Sequence, residues 1–180
     1  MAELFIPVII GTSRPKRKSY FAAKFIKEVG ERLPEIKTIL IDPTELDFKT
    51  DGNDPENKIA SYSDITARAD GFFIVTPEYN HSFPGSLKRM LDSEYENYHR
   101  KAVAFGGVSN GSWGGVRAIE ALVLTTRTLG LSTINRDIQF PRVQDIFDDQ
   151  GNLMDESYVA RAEKVWQDLI WLAQALKQAR

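Results

Sequence analysis

Leu4-Phe5-Ile6-Pro7-Val8-Ile9-Ile10-Gly11-Thr12-Ser13-Arg14-Pro15-Lys16-Arg17-Lys18-Ser19 is the stretch on which the architecture turns. Its first seven residues form an apolar, β-branched run closed by glycine, which suits a strand covered on both faces better than an amphipathic helix. Beyond Ser19, a natural helix N-cap, Ala22, Phe25, Ile26, Val29 and Leu33 recur at helical spacing until Pro34 ends the pattern. The unit is strand, loop, helix.

The same unit repeats outward along the chain. Residues 36–41 form a second apolar run stopped by Asp42-Pro43, and residues 59–67 a helical segment. Residues 72–75 give a third strand, followed by a loop and a helix beginning near Ser86. Residues 101–105 and 131–138 supply two more strands around a helical stretch at 116–129. Tyr158, Ala162, Val165, Trp166, Leu169, Ala173 and Leu176 make the apolar stripe of a closing helix. Five strands alternating with helices predict an α/β fold with a parallel sheet, right-handed crossovers and helices on both faces. Ligands of such sheets bind beyond the carboxyl ends of the strands. The polar stretches 42–57 and 141–155 read as surface loops.

With 180 residues, 42% of them hydrophobic, the chain fits one domain over residues 1–180. A formal net charge of -2 gives no global attraction to polyanions, so no nucleic-acid partner is expected. The absence of cysteine removes thiolate nucleophiles, iron–sulfur clusters and cysteine-bound zinc. His81 and His99 are the only histidines and are poorly spaced for a metal site, so none is expected. The N-terminus lacks a basic segment and a small-residue cleavage site, and no run is long enough for a membrane span. A cytoplasmic protein with no membrane partner is the plain expectation.

Two loops carry the chemistry. The first, Gly11 to Ser19, offers the Thr12, Ser13 and Ser19 hydroxyls, the Arg14 guanidinium and amides at the start of a helix, which together suit a phosphate monoester. It lacks both the three-glycine dinucleotide fingerprint and the Gly-Lys-Ser/Thr of a P-loop. The plainer alternative makes Lys16-Arg17-Lys18 a solvated cluster and Ser19 only a cap. The second loop, Thr76-Pro77-Glu78-Tyr79-Asn80-His81-Ser82-Phe83-Pro84-Gly85, is stiffened by proline and can hold amides and the Tyr79 ring against a planar heterocycle. Its plainer alternative is a turn leading into a helix, with Glu78 and Asn80 capping local amides. A third segment, residues 106–115, is rich in glycine around Ser109, Asn110 and Trp113 and lets backbone approach a ligand. Arg117 reads as a surface ion pair, and Glu78 as structural.

The run Pro77-Glu78-Tyr79-Asn80-His81-Ser82, then Pro84-Gly85, closely resembles the hallmark of NADPH-dependent FMN reductases, and Gly11-Thr12-Ser13-Arg14 resembles their phosphate loop. The likeness continues at Leu87-Lys88, Leu91-Asp92, Gly107-Val108-Ser109, Gly111 and Gly114-Gly115-Val116-Arg117. It implies a flavodoxin-like three-layer fold whose five-stranded parallel sheet has the order 2-1-3-4-5. It implies FMN as cofactor and NADPH or NADH as co-substrate. Ser13, Arg14 and Ser19, with Thr12 and Lys18, would hold the phosphate. Thr76, Pro77, Glu78, Tyr79 and Asn80 would line the flavin largely by backbone, and Ser109, Asn110 and Gly111 would approach it from the fourth strand. It further implies a homodimer or homotetramer and a small electron acceptor such as a quinone, azo compound, free flavin or metal oxyanion. No side chain need be catalytic, because the flavin carries hydride chemistry. A flavodoxin-type electron carrier and a non-catalytic phosphate-ligand module are the competing readings.

Overall fold

Pro7 divides the first strand. The computed structural model describes residues 3–180; Met1 and Ala2, where the reading of the N-terminus begins, lie outside the described residues. Strand β1 (Leu4–Phe5) stops before Ile6-Pro7 and β2 (Val8–Ile10) resumes after it, because proline has no N–H to donate to a ladder. The neighbouring strand breaks in step, as β3 (Ile36–Lys37) and β4 (Leu40–Ile41). Leu4 faces Ile36 and Val8 faces Leu40, so the register is unchanged across the gap. Ile6 N donates to Lys37 O at 3.0 Å and Val8 N to Ile39 O at 2.8 Å, which carries the pairing through.

Strands β5 (Gly71–Pro77) and β6 (Ala102–Val108) run unbroken through the centre. The fifth strand is again in two pieces, β7 (Ser132–Thr133) and β8 (Ile138–Phe140), both parallel to β6. The hydrogen-bonded order is β4-β2-β5-β6-β7, all parallel, with β8 also on β6. Joined across their breaks, these are five strands in the order 2-1-3-4-5 of a flavodoxin-like sheet.

Side chains alternate between the two faces of β5. Phe73 and Val75 enter a core closed by Ala22, Ile26 and Val29 of α1 (Ser19–Gly30) and by Val165, Trp166 and Leu169 of α6 (Ser157–Ala179). Phe72 and Ile74 enter the other, under α2 (Ala60–Arg68), α3 (Gly85–Asp92) and α4 (Val116–Thr128), through Tyr62, Leu87, Met90, Ile119 and Leu122. This is the three-layer arrangement. Six of the seven stripe residues of α6 are buried, and Leu176 packs on the edge of that core. Trp166 anchors the layer, its Nε1 donating to Ile26 O at 3.0 Å.

Three expectations need correction. The run 131–138 is not one strand: between the Val103–Thr133 and Gly106–Ile138 pairs the fifth strand contains two more residues than β6, and residues 134–137 bulge out. Residues 141–155 are not purely loop, since α5 (Val143–Ile146) lies within them. Ser19 is not the cap of α1 but its first residue; Lys18 holds the cap position without a side-chain bond.

The bulge leaves Asp137 half-buried, and burial first, then Glu120, pushes its carboxyl up to about 6 from 3.8. A raised folded value favours the fold below the unfolded pKa and is lost as pH climbs through 6. Asp137→Asn should therefore stabilise the protein at pH 7 by about 1 kcal/mol, after discounting for partial solvent contact. The gain should shrink steadily as pH is lowered and vanish only well below 3.8, where the carboxyl is neutral in both states; thermal unfolding across a pH series checks it.

Candidate functional site

At the carboxyl ends of β2, β5 and β6 the chain opens a cleft of about 880 Å³. The first loop forms one wall. Gly11 lets it leave β2 in tight contact with β5: a Cβ there would stand 2.7 Å from Thr76 Cβ. Thr76 and Thr12 are thus buried beneath the cleft instead of lining it. Thr12 Oγ1 shares a 3.3 Å hydrogen bond with the Tyr79 hydroxyl and accepts from Arg14 N at 3.3 Å, tying the first loop to the second. Ser13 is exposed outside the cleft lining.

Arg14, Lys18 and Ser19 do line the cleft, together with Lys16 and Arg17, so the alternative of a purely solvated cluster does not hold for this tripeptide. Arg17 is largely buried, bonded to the Asp42 carboxylate and donating to Arg14 O at 3.2 Å, so it is part of the loop's framework. Lys18 meets Asp149 at 3.1 Å. Arg14 and Lys16 have no ion-pair partner among the described residues. Ser19 Oγ is buried and, among the described residues, has no hydrogen-bond partner; Arg17 Nε is in the same position. Buried polar atoms are seldom left unpaired. An orphaned hydroxyl on the first residue of α1, whose first turn holds no acid, fits a phosphate oxygen.

The second loop is a two-residue hairpin turn. Tyr79 N donates to Ser82 O at 2.8 Å and Ser82 N to Tyr79 O at 3.0 Å. Asn80 and His81 between them have φ of 50° and 64°, the left-handed pair of a type I′ turn. The amides expected to face a heterocycle are thus divided. Tyr79 N is used within the turn and Glu78 N donates to Val108 O, while those of Asn80 and His81 make no hydrogen bond among the described residues. Histidine is strained in the left-handed region. His81→Gly should raise stability by about 0.5 kcal/mol, the steric relief exceeding the added chain entropy; a higher denaturation midpoint at equal slope would show it.

The third segment is braced inward. Ser109 Oγ donates to Gly111 O at 2.8 Å and accepts from Gly114 N at 2.9 Å. Gly107, Gly114 and Gly115 let this loop fold onto β6, not onto a ligand; only Gly111 faces open space. Ser109, Asn110 and Gly111 nevertheless line the cleft, joined by Val143 and Gln144 of α5 from the stretch expected to be loop.

Glu78 closes the far wall. Its carboxylate accepts from Arg117 Nη1 at 3.0 Å and from Arg117 N, in the first turn of α4, at 3.3 Å. This is the ion pair expected for Arg117. The guanidinium also lies 5.2 Å from the centroid of the Trp113 ring, which is 64% exposed. Five cations and one carboxylate therefore line the cleft of a chain whose net charge is -2.

This arrangement has relatives. The family model described as NADPH-dependent FMN reductase matches residues 5–145. An NADH:(hydroxy)cinnamate reductase subunit from Vibrio ruber is 25% identical over 170 residues, covering 90% of this chain and 83% of its own. A quinone reductase from Pseudomonas putida is 25% identical over 165 residues, covering 87% of this chain and 89% of its own. Among solved structures, the flavoenzyme NAD(P)H:(acceptor) oxidoreductase of Paracoccus denitrificans superposes with a TM-score of 0.77 at 20% identity, over 95% of this chain and 98% of that one. Among the described residues no helix is long and apolar enough to cross a membrane. With its sheet order, its cationic loop after β2 and its hairpin after β5, the chain belongs to the NADPH-dependent FMN reductase family, oxidoreductases that use FMN and NAD(P)H.

Proposed function

We propose that the chain accepts a hydride from NAD(P)H and delivers the electrons to a small planar or anionic acceptor in the same open cleft. The observation that carries this reading is the orphaned Ser19 hydroxyl at one end of a cationic cleft whose other end is walled by a rigid hairpin. Ser19, Arg14 and Lys18 would hold the FMN phosphate, with Thr12 fixing the Arg14 amide and Ser13 at the margin. Pro77, Glu78, Tyr79 and Asn80 would border the ring on one side, and Ser109, Asn110 and Gly111 on the other. Bound there, FMN supplies the two-electron chemistry.

The protein's own part is positioning and electrostatics. The pinned hairpin holds Asn80 and His81, whose amides make no hydrogen bond among the described residues, on the wall of the cleft before a ligand arrives. Glu78 holds Arg117 over Trp113, giving the open side a flat wall with a guanidinium edge. With a phosphate dianion set against Arg14 and Lys16, the half-exposed Arg117 guanidinium still has N–H donors to offer an acceptor on the open side. The Vibrio ruber relative is named for (hydroxy)cinnamate and the Pseudomonas putida relative for quinone, and we extend that range to this chain. The reading includes one domain over residues 1–180, assembled as a homodimer or homotetramer in the cytoplasm.

The visible spectrum of the purified protein, followed by anaerobic stopped-flow mixing with NADPH and with NADH, tests it. A flavin band bleached at a rate matching turnover, and re-formed by a quinone, is the expected result. A colourless protein that takes up no added FMN overturns the reading. A flavin that neither nucleotide reduces makes the chain an electron carrier.

A further inference from the structure

A second recess, of about 670 Å³, opens on the other side of the first loop. Lys16, Arg17 and Lys18 line both spaces, so the loop's own cations form the boundary between them. Arg17 and Lys18 are neutralised by Asp42 and Asp149. Arg14 and Lys16, without ion-pair partners among the described residues, remain. Arg14 lines only the main cleft, whereas Lys16 lines both, held at φ 52° in the left-handed region. A second anionic group beyond the first phosphate would meet Lys16.

The remaining walls suit a nucleoside. Tyr20 is exposed on α1, with the Arg17 guanidinium 5.9 Å from its ring centroid, and offers a face on which a base can stack. Asp42 and Thr44 follow the carboxyl end of β4; Thr44 Oγ1 donates to Asp42 Oδ1 at 2.7 Å, so the Thr44 oxygen and the remaining lone pairs of the Asp42 carboxylate are acceptors for sugar hydroxyls. Because β4 is the sheet neighbour of β2, a ligand continuing past the loop after β2 arrives over the end of β4. Cation, aromatic face and sugar-binding acceptors are the requirements of an adenosine diphosphate group.

We propose that this recess receives an adenylate joined to the flavin phosphate, so that the chain binds FAD as well as FMN. The second phosphate meets Lys16, the adenine lies on Tyr20, and the ribose hydroxyls meet Asp42 and Thr44. The inference rests on the flavin reading of the main cleft.

Calorimetric titration of the flavin-free protein with FMN and with FAD tests it. FAD should bind at least as tightly as FMN. Tyr20→Ala should weaken FAD about tenfold through the lost stacking, Tyr20→Phe should retain it, and both variants should bind FMN like the parent. FAD binding tenfold or more weaker than FMN overturns the proposal while leaving the FMN site intact. A Tyr20→Ala variant that weakens both flavins alike also overturns it. If neither flavin binds the parent protein, the reading of the main cleft itself fails, and this proposal with it. Should Tyr20→Ala raise the KM for NADPH in FMN-loaded protein while FAD affinity is unchanged, the recess belongs to the nicotinamide nucleotide, and the FAD assignment is wrong.

Discussion

Alanine at Gly107 is expected to destabilise the fold by about 3 kcal/mol, lowering the melting temperature by about 10 °C. A Cβ at this position in β6 would stand 2.4 Å from Gly114 O, 2.9 Å from Ile119 Cδ1 and 3.0 Å from Gly115 C. Relief would require the crossing loop to lift, and it is fastened. Gly114 N is held by Ser109 Oγ at 2.9 Å, and a Cβ on Gly114 would stand 2.7 Å from Gln139 Cβ and 3.2 Å from Pro141, so little space lies on that side. Gly111→Ala is the control, because a Cβ there meets nothing within 4 Å. Circular dichroism melts of both variants, without flavin, should show a large drop for the first and little change for the second. A Gly107→Ala melt within a degree or two of the parent would mean that the crossing yields.

Ser19→Ala is expected to weaken FMN about ten- to hundredfold, the value of one hydrogen bond to a charged group. The same change should stabilise the flavin-free protein by about 1 kcal/mol, since it removes a buried hydroxyl that the fold leaves unpaired. Opposite signs for binding and stability are the signature of a group kept for a ligand. Arg14→Ala provides the contrast. Arg14 is exposed and without an ion-pair partner among the described residues, so its loss should weaken FMN by a similar factor with no gain in stability. Calorimetry for affinity and melts of flavin-free protein read both quantities. If Ser19→Ala loses stability, the hydroxyl serves the fold and the phosphate role falls.

The sheet was legible because each strand is an apolar run closed by glycine, proline or a polar cluster, and such periodicity is local information. What depended on partners was not. Nothing in residues 131–138 signals that two residues must bulge, because the bulge exists only relative to the register of β6. Ser19 looked like a cap because serine is a favoured cap, but whether a residue is first or preceding depends on how the Pro15-Lys16 turn winds. The hairpin was hidden because Asn80-His81 lacks the glycine that marks the usual type I′ pair. The glycines of residues 106–115 were recognised as allowing close approach, but the approaching partner is the loop's own backbone. Arg17 joined the framework through Asp42, twenty-five positions away, which a basic tripeptide cannot announce. The expected pairing of Arg117 held because Glu78, the first residue after β5, meets the first turn of α4.

Both outer strands of the sheet are interrupted, one in step with Pro7 and the other by the residue 134–137 bulge, whereas the two central strands run seven residues each without a break. An uninterrupted outer strand offers a row of unpaired amides and carbonyls to any passing extended chain. Segments of two or three residues, one of them directly after the charged Arg136 and Asp137, offer no such row. The same irregularities that obscure the strand pattern in the sequence thus protect the folded protein from growing, edge on edge, into aggregates.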